Sequence, residues 1–347
     1  MGQRLKGRAA VVTGAGRGIG RAIAELLGAE GAAVVVNDLG ANVDGTGAAA
    51  SVADEVVAAI RARGGTAVAN HDSVADFAAA ERIVDTAVRE FGSIDILVNN
   101  AGILRDRMLF NMSEDDWDAV VTVHLKGSFN CMRHAAVRMR EQRRGRIVSM
   151  SSTSGVFGNS GQANYGAAKD GITGLTRVAA RDLGKYGVTV NAVCPGATTR
   201  MTSTVPESAR AARQKGAIAG PGGGARAFPL EHTGPENVAP WVVYLATDAA
   251  AHVNGQVFFV MGGLISLLNY PAPGAHDAEG RALDARGDRD AVPAHTRARP
   301  REPCAAAGRL TPATRAEART SSRQSGRPPT PPPGWPPSGR AGCAPSP

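Results

Sequence analysis

The sequence predicts an α/β protein, a doubly wound and mostly parallel seven-stranded sheet with helices on both faces, followed by a tail that builds no core. Short runs rich in Val and Ile at 8–13, 32–38, 66–70, 94–99, 146–151, 188–193 and 256–261 alternate with helical patterns near 19–28, 48–63, 76–91, 114–141, 163–184 and 235–246. The runs are apolar at successive rather than alternate positions, so both faces of each strand are to be buried. Composition changes abruptly after Tyr270. Strands interleaved with helices make a parallel sheet whose ligand sits at the carboxyl ends of the strands.

The two parts divide as residues 1–270, a single domain, and 271–347, a tail expected to be disordered. Fifteen of the 21 prolines lie in the tail, which contains no Phe, Tyr, Met, Ile, Asn or Lys. So few large apolar side chains cannot offset the entropy of ordering the chain. The missing types have A/T-rich codons, so the tail is either an ordinary extension or GC-rich DNA read out of frame. The tail carries +5 of the formal +8 net charge. The remaining residues show no aromatic-interleaved basic patch, which argues against nucleic acid as a partner. No run approaches the roughly 18 apolar residues of a membrane helix, and no signal peptide is evident. Four cysteines in 347 residues make no disulfide scaffold, pointing to the cytoplasm. Nothing in the pattern calls for a metal.

The first strand runs into Thr13-Gly14-Ala15-Gly16-Arg17-Gly18-Ile19-Gly20, and a helix follows at once. Glycines there permit a tight turn and close approach of backbone N–H groups to a pyrophosphate. The second strand ends in Asp38, 18 residues past the last glycine of the loop. A carboxylate there accepts from both ribose hydroxyls of NAD and repels a 2′-phosphate. Arg17 argues the other way, since a guanidinium in the loop can pair with that phosphate. The expected cofactor is NAD, with NADP possible.

With Asn99-Asn100-Ala101-Gly102 after the fourth strand, Ser152 followed by Tyr165 and Lys169, and Pro195-Gly196 after the sixth, the series resembles the short-chain dehydrogenase/reductase family across residues 5–265. Tyr-x-x-x-Lys alone is a common accident, but a Ser thirteen residues before the Tyr makes the combination specific. The stretches 36–40, 103–107, 123–129 and 158–165 are most similar to the hydroxyacyl-CoA dehydrogenase domains of peroxisomal multifunctional enzymes, with bacterial 3-oxoacyl-carrier-protein reductases as the nearest rival. The resemblance implies a Rossmann-type fold and an oxidoreductase acting on an alcohol or ketone, with a small-molecule substrate of acyl-CoA, acyl-carrier or steroid-like type. It also implies a homodimer or homotetramer. Within that resemblance, Asn100, Ala101 and Gly102 flank the adenosine, Asp72 and Ser73 hold the adenine edge, and the backbone past Pro195 and Gly196, near Thr198, grips the carboxamide. His124 stands where the family often has Asn, and its main-chain carbonyl is expected to hold a relay water. The Thr usual after Pro195-Gly196 is replaced by Arg200, with Thr198, Thr199 and Thr202 nearby.

Hydride transfer from an alcohol needs a base, and a free tyrosine with a pKa of ~10 is a poor one. Lys169, four residues on in a helical pattern, shares a face with Tyr165 and is expected to favour its phenolate. Ser152 would donate to the substrate oxygen, and Lys169 to the nicotinamide ribose. Tyr165 and Lys169 are therefore both catalytic and cofactor-binding candidates. Cys131 and Cys194 read as small core residues. Arg138, Arg140, Arg143, Arg144 and Arg146 read either as a solvated helix end or as a dock for an acidic CoA or carrier protein. Specificity is assigned to residues 198–234, a glycine-rich segment expected to act as a lid. The alternatives are an NADPH-dependent 3-oxoacyl or polyketide ketoreductase and, outside enzymes, a nucleotide-sensing or scaffold protein.

Overall fold

The computed structural model describes residues 2–198 and 233–269; the tail and most of the specificity segment lie outside them. Seven parallel strands form in the expected places: β1 Ala9–Thr13, β2 Ala33–Asn37, β3 Thr66–Asn70, β4 Ile96–Asn99, β5 Gly145–Met150, β6 Val188–Pro195 and β7 Val257–Met261. An eighth, β8 Leu264–Leu267, extends the sheet antiparallel to β7. Its sequence signal was present: Gly262 and Gly263, both with positive φ, separate two apolar runs, which is a hairpin turn.

The strand order is β3-β2-β1-β4-β5-β6-β7-β8. The chain leaves β1 in one direction and returns to its other side with β4, so a crevice opens between the carboxyl ends of these two strands. Successive strand residues feed opposite layers, as the pleat dictates. Val12, Val34, Val36, Ile96, Val98 and Phe258 pack in one buried cluster. Val11, Val35, Leu97, Ile147 and Val190 pack in the other. Each fully buried Val or Ile contributes about 1.5–3 kcal/mol, so two covered faces explain the unbroken apolar runs.

Helices α1 Gly18–Ala29 and α2 Ser51–Ala62 cover the first face, with α8 Ala239–Leu245. The second face carries α3 Phe77–Phe91, α4 Glu114–Val121, α5 Gly127–Gln142 and α7 Ala163–Gly184. A short α6, Thr153–Val156, precedes α7. Asp76 caps α3 by accepting from the Ala79 N–H at 2.6 Å, and Ser113 caps α4 by accepting from that of Asp116. The single helix expected over 114–141 is continuous but contains a π-helical turn at Thr122–Lys126, bearing His124. Helix α5 ends on Arg143 at φ 57°, the one non-glycine left-handed residue among those described. Its guanidinium lies over the Tyr186 ring and donates to the Lys185 carbonyl, contacts that help hold this conformation.

Candidate active site

The glycine loop lies at the carboxyl end of β1 and packs without slack. A Cβ on Gly14 would come within 2.7 Å of the Ala101 Cα, and one on Gly20 within 2.2 Å of the Gly14 carbonyl. Asn100 ties the two strand ends together: its side-chain amide donates to the carbonyls of Thr13 and Gly14 at 3.0 and 2.9 Å. The first turn of α1 has no side-chain cap, which leaves its N–H groups for a ligand. At the end of β2 the Asp38 carboxylate accepts from the Gly16 and Gly40 N–H groups, each at 2.7 Å. A charged oxygen is thereby fixed on the glycine loop itself.

These residues border a cleft of about 240 Å³ that also takes in Arg17, Gly18, Ile19, Asp72, Ser73, Ala101 and Gly102. One continuous cavity thus joins most of the residues nominated from the sequence for the nucleotide. Asp72 is held rigidly by Arg82, whose Nε and Nη2 donate to it at 2.9 and 2.6 Å, and by Asn70 at 3.1 Å. Pro195 closes β6, and Gly196 donates to the Val260 carbonyl while packing against Met261. Thr198 donates its N–H to the Thr233 carbonyl at 2.6 Å, and the two hydroxyls are 2.9 Å apart. Thr199, Arg200 and Thr202 fall outside the described residues.

Ser152, Tyr165, Lys169 and His124 come together beside this cleft. Ser152 caps α6 by accepting from the Ser154 N–H at 3.1 Å, and it hydrogen-bonds the Tyr165 phenol. Lys169, one turn along α7, donates through Nζ to the Met150 carbonyl at 2.6 Å and lies 5.5 Å from the Tyr165 ring centre. The shared face predicted from the i, i+4 spacing is present. The expected depression of the Tyr165 pKa is not. Tyr165 is only half-buried as a residue, yet desolvation pushes its phenol up to about 12, with the Ser152 hydrogen bond pulling the other way. Desolvation also brings Lys169 down to about 8. Burial disfavours the charged form of each group, and in each it is the largest effect.

Residues 8–210 match the short chain dehydrogenase family. The chain belongs to the short-chain dehydrogenase/reductase family. It is 45% identical over 275 residues to a hydroxyacyl-CoA dehydrogenase of Mycobacterium tuberculosis, covering 77% of this chain and 81% of that protein. It is likewise 45% identical over 268 residues to the peroxisomal multifunctional enzyme type 2 of Mus musculus, covering 77% of this chain but only 33% of that enzyme. The crystal structure of a short chain dehydrogenase from Mycobacterium avium superposes with a TM-score of 0.66 at 44% identity, covering 82% of this chain and 92% of that one. The protein is thus an NAD(P)-dependent oxidoreductase.

In this short-chain dehydrogenase the π-helical turn places His124 under the site. The ring is 1% exposed, edge-on to Tyr165 with centroids 5.1 Å apart. Its Nε2 lies 3.0 Å from the Ile103 nitrogen and 2.8 Å from the Ile103 oxygen, so the tautomer decides which contact is the hydrogen bond. Desolvation, aided by the Lys169 charge, lowers His124 to about 3, so the ring is neutral at ordinary pH. Its main-chain carbonyl, expected to hold a relay water, accepts from the Ser128 hydroxyl at 2.6 Å. The Gly127 N–H also donates to this carbonyl, so neither of its lone pairs stands open for a water.

Two features escaped the sequence reading. Leu39 to Ala49 forms a loop whose tip borders the cleft through Ala41, Asn42, Val43 and Gly45. Its Gly and Asn residues read only as a connection. Asn164, fully buried, donates to the carbonyls of Arg105 and Asp116 and accepts from the Tyr165 N–H, fixing the start of α7. The arginine cluster is largely engaged in structure. Arg138 pairs with Asp85, Arg144 with Asp95 and Arg146 with Asp248. Arg144 and Arg146 also flank the amino end of β5, the opposite edge of the sheet from the cleft. That placement favours the structural reading of the cluster. No helix among the described residues is long and apolar enough to cross a membrane.

Proposed function

We propose that the enzyme is an NAD-dependent dehydrogenase of 3-hydroxyacyl-CoA thioesters, with Tyr165 as the acid/base group. The observation carrying this reading is the gathering of Ser152, Tyr165, Lys169 and His124, with the His124 ring against Gly102, a residue bordering the cleft that also bears the fixed Asp38 carboxylate. The uncapped α1 terminus, the tight glycine loop and Asp38 suit a dinucleotide, with the pyrophosphate on the helix N-terminus and the adenosine ribose on Asp38. Asp72, Ser73, Asn100, Ala101 and Gly102 would border the adenosine, and Pro195, Gly196 and Thr198 the carboxamide. The bound cofactor supplies the hydride acceptor and, when oxidised, a positive charge that favours the phenolate.

The protein's own residues divide the remaining work. Ser152 donates to the substrate oxygen and fixes the carbinol, and Tyr165 Oη takes the hydroxyl proton as the C–H bond breaks. Lys169 holds a positive charge one turn away and gives the proton a path beneath the ribose. His124, neutral and braced on Ile103, keeps the Tyr165 ring from turning. The acyl-CoA substrate rests on the similarity to the mycobacterial hydroxyacyl-CoA dehydrogenase. Association as a homodimer or homotetramer belongs to the same reading and rests on the family resemblance alone. Free, buried Cys131 and Cys194 suit a reducing compartment, the cytoplasm in this reading.

The test follows nicotinamide absorbance with NAD and NADP against 3-hydroxyacyl-CoA, carrier-bound and steroid alcohols. Fastest turnover of a hydroxyacyl-CoA with NAD is expected. Turnover of steroids alone would overturn the substrate, and preference for NADP would overturn the ribose role of Asp38.

A further inference from the structure

The loop after β2 is closed on itself. Ala49 donates to the Leu39 carbonyl, Asn42 to that of Thr46, and Gly45 to that of Asn42. The Asp44 carboxylate accepts from the Thr46 N–H and hydroxyl at 3.0 and 2.7 Å, which holds its pKa below the usual value. Such a loop, with its ends joined and its interior hydrogen-bonded, is an ordered Ω-type unit and not a slack connection. Its tip reaches across the cleft. Val43 accepts from the Leu104 N–H at 2.8 Å, and the Asp44 carbonyl accepts from Arg105 Nε at 2.9 Å. A Cβ on Gly45 would stand 3.0 Å from Ile103 Cδ1, so tip and far wall are in contact.

Arg105 occupies the junction. Its side chain holds the loop tip, and its main-chain carbonyl accepts from Asn164, whose own side-chain oxygen accepts from the Tyr165 N–H. We infer that Arg105 is a positioning residue that latches the 39–49 loop as a strap over the nucleotide cleft, tying retention of the dinucleotide to the seat of Tyr165. The inference rests on the reading of the cleft as the cofactor site. Release of the nucleotide then requires the strap to lift, which breaks the Arg105 and Leu104 bonds; the charged one is the stronger. Sequence near the glycine motif alone gives no sign of this, because Arg105 lies 61 residues from Asp44 in the chain.

The test uses the full chain with Arg105→Met, which deletes the donor but leaves the main-chain bond to Asn164. Stopped-flow fluorescence reads the NADH release rate, and hydrogen exchange of the ligand-free protein reads the strap amides and Leu104. Arg105→Met should speed release about tenfold and accelerate exchange across 41–47. Arg105→Lys, which keeps the charge and a donor, should lie between, and it serves as the variant of record if the Met protein folds poorly. NADH release within twofold of the parent, with strap exchange unchanged, overturns the latch alone. A parent protein that binds neither NADH nor NADPH overturns the cofactor reading and the latch with it.

Discussion

The Lys169 ammonium lies 5.5 Å from the centre of the Tyr165 ring, one turn along α7, and is aimed at the Met150 carbonyl. Both groups are displaced toward neutrality, Tyr165 up to about 12 and Lys169 down to about 8. At pH 7 the ligand-free pocket therefore holds the Lys169 ammonium beside a neutral phenol. Ionisation of the tyrosine is coupled to whatever charge enters with the bound ligands, so acid/base power is expressed mainly in the complex.

Tyr165→Phe should lower turnover by about 10³-fold or more, since general acid–base catalysis is worth roughly 10²–10⁴ and no other phenol among the described residues is at the site. Cofactor affinity should change little, because the cleft borders are untouched. Fluorescence titration with NADH beside steady-state rates checks both halves. Retention of more than a few per cent of turnover would remove Tyr165 from the acid/base role.

Asp38→Asn should shift the NAD/NADP ratio of catalytic efficiencies toward NADP by about 10- to 100-fold, the worth of a charge-assisted hydrogen bond to ribose. The Gly16 and Gly40 N–H groups bind separate carboxylate oxygens at 2.7 Å, so Asn keeps an acceptor for only one of them. The loop loses one of these two bonds, and Arg17 gains a phosphate to pair with. An unchanged ratio would refute the ribose assignment.

The parallel sheet was legible because each strand is apolar on both faces and each connection carries a helical period. The candidate site residues were legible because Gly14, Asp38, Asp72 and Asn100 follow strand ends, while Tyr165 and Lys169 share a helix at family spacing from Ser152. What escaped depends on contacts distant in sequence. Nothing in Leu39–Ala49 indicates that its tip meets Leu104 and Arg105. The π-helical turn at His124 leaves the hydrophobic period almost unaltered, so 114–141 reads as a regular helix. The i, i+4 spacing placed Lys169 beside Tyr165, but the sign of the tyrosine shift was set by desolvation, which only packing reveals.

His124→Asn should flatten the acid limb of stability. In the folded protein His124 titrates near 3, whereas in the unfolded chain its value is about 6.5. Between those values the unfolded chain binds a proton that the folded one refuses. Stability therefore falls as pH drops from 6.5 toward 3, by up to about 1.4 kcal/mol per pH unit from this group. The Asn variant, whose midpoint near neutrality reflects its own packing, should lose less per unit below pH 6. Denaturant midpoints from pH 7 to 4 measure the two slopes, and equal slopes would contradict the buried neutral imidazole.

Ending the chain after Tyr270 should leave the melting temperature within about 2 °C and the activity within about twofold of the full chain. The prediction rests on composition, since a segment with no Phe, Tyr, Met or Ile has little with which to join a core. It also rests on where the sheet ends. Strand β8 pairs with β7 from Met261–Leu264 to Phe258–Leu267, Leu268 donates to the Val257 carbonyl at 2.8 Å, and both features survive that cut. A second truncation after Gly263 removes β8 and bares the edge of β7, so it should melt several degrees lower and aggregate more readily. Trypsin should shorten the full chain at the tail arginines and leave a resistant product ending at Arg281, the first cleavage site past Tyr270. If the Tyr270 truncation melted as low as the Gly263 one, the tail would have to contribute packing, and the boundary would move beyond Tyr270.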